Sequence, residues 1–368
     1  MNMLIEVRPL VQSCCAYLNA ASPEAHAKIV IRPNDLTVTW SLGSHQLLYQ
    51  TVSLPNDVPI KFQPCQVTSL LQEEQHLSFR VQTSPRNRTG SFAVQLVEFG
   101  KNTSGSIDTA PDIPTSVPCA IHCACCGQNI LSKDVVNFKR VLPLPSGPYD
   151  ASDFFCHNHG DSSININPNE SDCLYSTIGF HIHRSLVDRE GSVIRCKSCL
   201  AWIGTQSGTR ASLWHSTVDV KPTSTSISQV IRVHPAQDFL RIVENNVKQC
   251  PTVACRLLIN VTVSSDVTHY LLIHVIDRQL MVLAANSSQS MELVSHKVIK
   301  VSFHLEKHCN KLVSTWLNDQ IVISCEVALP VFVQGIELLS KTSQYIPSSY
   351  RKAQHGFLLA YLCSDFID

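Results

Sequence analysis

The chain has 368 residues, enough for two or three domains with cores of their own. A hydrophobic content of 44% with 16% charged residues describes an ordered globular protein, and a formal net charge of zero points to neither direct nucleic-acid binding nor an anionic membrane surface. No run approaches the roughly 18 apolar residues of a membrane span, and Glu6 and Arg8 stand where the apolar core of a signal peptide would lie. The expectation is a cytoplasmic and nuclear protein whose 16 cysteines stay reduced and serve as metal ligands rather than as a disulfide framework.

Residues 1–98 read as β. Runs rich in Val, Ile, Leu and Thr at 4–10, 29–31, 36–40, 46–52, 77–81 and 92–97 are divided by Pro, Asn, Gly and Ser, which predicts an antiparallel sheet or sandwich. Residues 99–118, with Asn102-Thr-Ser-Gly-Ser106 and three prolines, read as a polar linker.

Residues 119–206 open with Cys123-x-x-Cys126-Gly127 and close with Cys196-x-x-Cys199. Two residues between sulfurs let one tight turn present both thiolates, and Gly127 relieves the backbone where it curls. Two such turns aimed at one point make a tetrahedral site for a structural zinc, and four sulfurs leave no open position for catalytic water. A disulfide or redox pair, or unrelated buried cysteines, are the competing readings. The pairs lie much further apart than the roughly 15–20 residues of a compact zinc ribbon. This predicts a zinc-ribbon-like four-cysteine module with a long insertion. The insertion holds a strand-like run at 134–141, then Leu142-Pro143-Leu144-Pro145-Ser-Gly-Pro148, whose prolines fix an extended backbone suited to lying across a surface. Asp153-Phe154-Phe155-Cys156-His157-Asn158-His159 follows, and a second strand-like run covers 175–183.

Residues 207–368 alternate strand and helix signals. Strands are expected at 214–221, 255–263, 270–276, 281–284, 297–305, 321–327 and 357–362, with helices at 235–247 and 331–340. The whole is α+β, its C-terminal domain built on a mainly antiparallel sheet. There is no Gly-x-Ser-x-Gly elbow, phosphate loop or His-Glu-x-x-His helix.

Several segments fall in the order of a known family: Cys123-x-x-Cys126-Gly127, Arg140-Val-Leu-Pro-Leu-Pro-Ser146, Cys156-His157, Asp172-Cys173, Cys196-x-x-Cys199, Leu312-Val-Ser-x-Trp316, Ile336-Glu-Leu-Leu-Ser-Lys341 and Ile346-Pro-Ser-Ser349. The sequence resembles the HECT-like ubiquitin ligases that bind ubiquitin-conjugating enzymes. The resemblance implies a protein that binds a ubiquitin-conjugating enzyme, ubiquitin and cyclin B, and that ubiquitinates substrates or itself. It also implies an alternative role, as a non-enzymatic inhibitor or assembly factor of the metallo-β-lactamase endonuclease that cleaves pre-mRNA before polyadenylation. There, Leu142, Pro143, Leu144, Pro145, Cys156 and His157 would meet the nuclease, with Cys156 entering its zinc site. A thiolate in an open coordination position displaces the nucleophilic water that a metal hydrolase needs. Two other readings stay open: Cys156, His157 or His159 and Cys173 bind a zinc within this chain, or the histidines are surface residues.

Thioester transfer needs an exposed, activated cysteine. The resemblance places it after Leu329-Pro330 and directly before Ile336-Glu-Leu-Leu339, where this chain has Gly335. Cys309 and Cys325 are the nearest substitutes, and Cys325 lies in an apolar run that predicts a buried thiol. Recruitment of a charged conjugating enzyme is the mechanism that needs no thiol.

Overall fold

The structure, a computed structural model, describes residues 3–8, 11–19, 26–42, 45–73, 76–86, 113–144, 167–176, 178–187, 191–223, 230–250, 254–264, 267–285 and 293–367. The N-terminal strands are β1 (Met3–Arg8), β2 (Ser13–Asn19), β3 (His26–Ile31), β4 (Asp35–Leu42), β5 (His45–Ser53), β6 (Ile60–Glu73) and β7 (His76–Pro85). β3, β4 and β5 form a three-stranded antiparallel sheet, while β1, β2, β7 and β6 lie in that order in a larger one. The two sheets pack as a sandwich through Trp40, Val38 and Leu36 on one side and Ile5, Val7, Phe79 and Val81 on the other. The sequence reading omitted β2 and β6. In β2 the inward positions are Cys14, Ala16 and Leu18, a weak apolar alternation, and β6 carries Pro64 and two register shifts. The expected strand at 92–97 lies outside the described residues.

The next unit contains β8 (Pro118–Cys123), β9 (Val136–Asn137), β10 (Arg140–Pro143), β11 (Asp172–Tyr175), β12 (Gly179–His183), β13 (Val193–Arg195), β14 (Trp202–Ser207), β15 (Arg210–Trp214) and β16 (Val218–Pro222). A six-stranded sheet runs β10-β11-β12-β15-β14-β13, and a three-stranded one runs β16-β8-β9. Ile121, Phe138, Phe180, Ile194 and Ile203 fill the core between them. Ile113, from the expected linker, is buried in that core, and β16 pairs with β8. The expected strand at 134–141 divides into β9 and β10 around Phe138, whose ring is wholly buried. β10 is an edge strand, which is where a sheet tolerates Pro143.

The remaining elements are α1 (Pro235–Gln249), β17 (Arg256–Ser264), β18 (Val267–Ala285), β19 (Leu293–Glu306), α2 (Lys311–Leu317), β20 (Val322–Glu326), α3 (Leu329–Ser343), α4 (Ser348–Arg351) and β21 (Leu358–Leu362). Pro235 starts α1, and the His234 side chain accepts the Ala236 N–H as its cap. Phe239, Leu240, Ile242, Val243 and Val247 bury one face of α1 in a core shared with Val331, Phe332, Leu338 and Leu339 of α3. The runs expected at 270–276 and 281–284 are one strand, β18, with register shifts between Val275 and Leu280.

β18 is the spine of the molecule. Its first half pairs with β17, its second half pairs with β1, and β19 follows its other side. One nine-stranded sheet therefore takes strands from both ends of the chain. β1 is buried on both faces: Met3, Ile5 and Val7 enter the N-terminal core, while Leu4 joins the C-terminal one. On that second face Glu6, fully buried, accepts hydrogen bonds from Lys300 of β19, Tyr361 of β21 and Arg8. Burial pushes the Glu6 carboxyl up, but the charge and hydrogen bond of Lys300, with those of Tyr361 and Arg8, outweigh it and hold it below the usual carboxylate range.

Candidate functional site

Cys123 ends β8 and Cys196 follows β13, so two sheets deliver the two knuckles to one place. The turns share one hydrogen-bond pattern. In the first, the Gly127 N–H donates to the Cys123 carbonyl (2.8 Å) and the Cys123 N–H to the Gln128 carbonyl (2.8 Å). In the second, the Leu200 N–H donates to Cys196 (3.0 Å) and the Cys196 N–H to Ala201 (2.9 Å). Both turns require a left-handed residue after the second cysteine: Gly127 has φ +74°, and Leu200, exposed, has φ +60°. A side chain in that region costs about 1 kcal/mol or more. Leu200→Gly is expected to raise stability by about 1 kcal/mol, read by chemical denaturation of the metal-loaded protein.

The Sγ atoms of Cys123 and Cys199 are 3.7 Å apart and those of Cys126 and Cys196 3.5 Å, and all four lie within 4.8 Å of one another. A tetrahedron with zinc–sulfur bonds of about 2.3 Å has edges of about 3.8 Å, so the four sulfurs already stand close to the vertices that zinc requires. Burial pushes the Cys123 thiol up to about 12. Burial also opposes ionisation of Cys196, but the Cys199 and Ser198 backbone N–H groups and the neighbouring thiols bring it down to about 7. A divalent cation would resolve this crowding by replacing protons, and with four thiolates its role is structural. Trp202 packs beside the second knuckle, edge-on to Trp214 at 5.5 Å, with Arg195 over its ring and its Nε1–H donating to Gly204.

The segment beginning at Leu142 is fixed at its root. Arg140 grips Asp172 with two hydrogen bonds (2.8 and 2.6 Å), and this contact holds the Asp172 carboxyl below its usual range. Leu142 and Pro143 are exposed on the edge strand β10, and the Leu144 N–H donates to the Tyr175 carbonyl at 2.7 Å. Pro145, Cys156 and His157 lie outside the described residues. Cys173, the internal partner in the local-zinc reading, is fully buried in the core, and burial pushes its thiol up to about 12.

Gly335 sits in the middle of α3, buried against α1. A Cβ built there would come within 2.3 Å of the Phe239 ring. A cysteine there would require the Phe239 ring to shift. Cys325 on β20 is only partly buried, where the apolar run predicted a buried thiol, and packs against the C-terminal core; burial pushes its thiol up to about 12. Cys309 is exposed at the start of α2, with Sγ 3.4 Å from Ser314 Oγ.

Sequence reasoning missed the Glu6, Lys300 and Tyr361 network and a cluster of His296, Cys363 and Asp365. Glu6 lies far in the chain from Lys300 and Tyr361, and His296 far from Cys363 and Asp365, so no motif spacing joins them.

The α+β fold brings four cysteines into one cluster that could hold a structural metal ion. Residues 6–358 match the family described as HECT-like ubiquitin-conjugating enzyme (E2)-binding, and the chain belongs to that family. No curated protein and no solved structure matches it.

Proposed function

We propose that the chain is a ubiquitin-protein ligase that recruits a charged conjugating enzyme and promotes transfer to a substrate or to itself without forming a thioester of its own. The observation that carries this is Gly335 pressed against Phe239 where the resemblance places a cysteine. Recruitment needs surface and orientation rather than a nucleophile. A structural zinc would hold the module that includes β10, and cyclin B is a binding partner that the resemblance implies.

The test is single-turnover discharge of a ubiquitin-loaded conjugating enzyme, run on reducing and non-reducing gels. The expected result is faster discharge and self-modification with no reductant-sensitive adduct, unchanged by Cys309→Ala and Cys325→Ala. A reductant-sensitive adduct lost with either substitution would establish covalent transfer instead. Gly335→Cys is expected to form no adduct and to lower stability by about 3 kcal/mol through overpacking, with Phe239→Leu recovering part of the loss in denaturant titrations.

A second reading is favoured by the β10 edge. β10 and β11, which flank the stretch with Cys156 and His157 in the sequence, pair in parallel and are clamped together by Arg140 and Asp172. This suits insertion into the zinc site of the 3′-end-processing endonuclease. Cys156→Ala is expected to abolish inhibition in a nuclease assay, and undiminished inhibition would remove this reading.

A further inference from the structure

His296 lies on β19, and the antiparallel register Ile299↔Leu362, carried beyond the end of β21, places it opposite Asp365. Asp365 belongs to the turn Ser364–Phe366 that follows β21, and Cys363 immediately precedes that turn. His296 Nδ1 is 2.8 Å from Asp365 Oδ2, and the donor atoms of His296, Cys363 and Asp365 all lie within 4.8 Å of one another. The imidazole is held against the Phe366 ring at a centroid distance of 5.2 Å. His296 and Cys363 are buried, at 7% and 6% exposure, whereas the Asp365 side chain is 55% exposed. The cluster is therefore walled by protein on its sulfur and nitrogen side and opens to solvent on its carboxylate side.

We propose that His296, Cys363 and Asp365 form a second metal site, selective for a borderline divalent cation such as Zn²⁺, with one coordination position left to water. One thiolate, one imidazole and one carboxylate are zinc donors, and three protein ligands are the number that leaves a tetrahedral position open. Metal bonds of about 2.0–2.3 Å put the ligand atoms about 3.3–3.8 Å apart, so small side-chain rotations bring this set onto the ion. The same three residue types also make a nucleophile, base and orienting carboxylate. That alternative fails on access, because a cysteine that accepts ubiquitin must be exposed. A cation here would tie the C-terminal turn to β19, independently of the four-cysteine centre and of any ligase activity.

The test is metal content of the full chain after zinc loading and dialysis, with cobalt titration as its spectroscopic companion. The wild type is expected to hold two equivalents, His296→Ala and Asp365→Ala one each, and Cys156→Ala two. The second cobalt equivalent should add the charge-transfer absorbance of one thiolate where the first adds that of four. If His296→Ala fails to fold, Asp365→Ala decides, because its side chain is mostly exposed. A wild-type chain with a single equivalent, or a second equivalent that Asp365→Ala leaves in place, overturns the site.

Discussion

Cys196→Ser is expected to unfold the module between residues 113 and 222 while the nine-stranded sheet keeps its protection. Structural zinc contributes roughly 10–16 kcal/mol of apparent binding free energy at neutral pH, as much as or more than the roughly 5–15 kcal/mol that holds a typical domain together. The core around Ile121, Phe138 and Ile203 has short strands on both sides, two of them ending at the knuckles, so a metal bound there would fold as one unit with the core. Hydrogen exchange followed by mass spectrometry reads the result: β8, β13 and β14 should lose protection, and β17, β18 and β19 should retain it. Cys125→Ser is the matched control. Cys125 is exposed in the first knuckle but is not one of the four clustered cysteines, and its replacement should change neither metal content nor exchange. A metal content equal to the parent's in Cys196→Ser, with unchanged exchange, would show that the four sulfurs do not hold the module.

Lys300→Met is expected to cost about 3–5 kcal/mol at neutral pH, because it leaves Glu6 buried without its strongest partner. Arg8, 2.8 Å from the second Glu6 oxygen and partly exposed, keeps the loss toward the lower end of that range. The pH dependence has a definite sign. In the parent protein the Glu6 pKa is lowered, so its contribution is present above the unfolded carboxylate value and is lost as pH falls through the folded one. Without Lys300 the burial effect dominates and the folded value rises above the unfolded one. The variant then loses stability as pH increases through that window. The gap between parent and variant should be widest near pH 7 and should narrow in acid, measured as the denaturation midpoint across pH. The double substitution Glu6→Gln with Lys300→Met should recover much of the loss, because it removes the unpaired charge. A gap independent of pH would assign the cost to packing instead.

The knuckles were legible because their chemistry is local: four residues and a glycine announce a turn around a metal. Cys123, Cys126, Cys196 and Cys199 needed no knowledge of the intervening chain. The two longer helices were legible for the same reason, since Phe239, Leu240, Ile242, Val243 and Val247 repeat within α1 itself. What escaped depends on register between distant strands. Nothing near Met3–Arg8 says that its partner is β18, and nothing near Glu6 says that its charge is answered by Lys300. Gly335 was recognised as a departure from the family pattern, yet the ring that a thiol there would displace, Phe239, lies on another helix.

The pairing of Leu4 with Ala284 sets a timetable for biogenesis. At about 5–20 residues per second, a ribosome makes the first partner on the order of tens of seconds before the second. During that wait the β1–β2 hairpin has an unpaired edge and an apolar face with no C-terminal core to meet. A nascent chain in this state is a natural client for holding chaperones, and shortening the chain before β18 would make that exposure permanent.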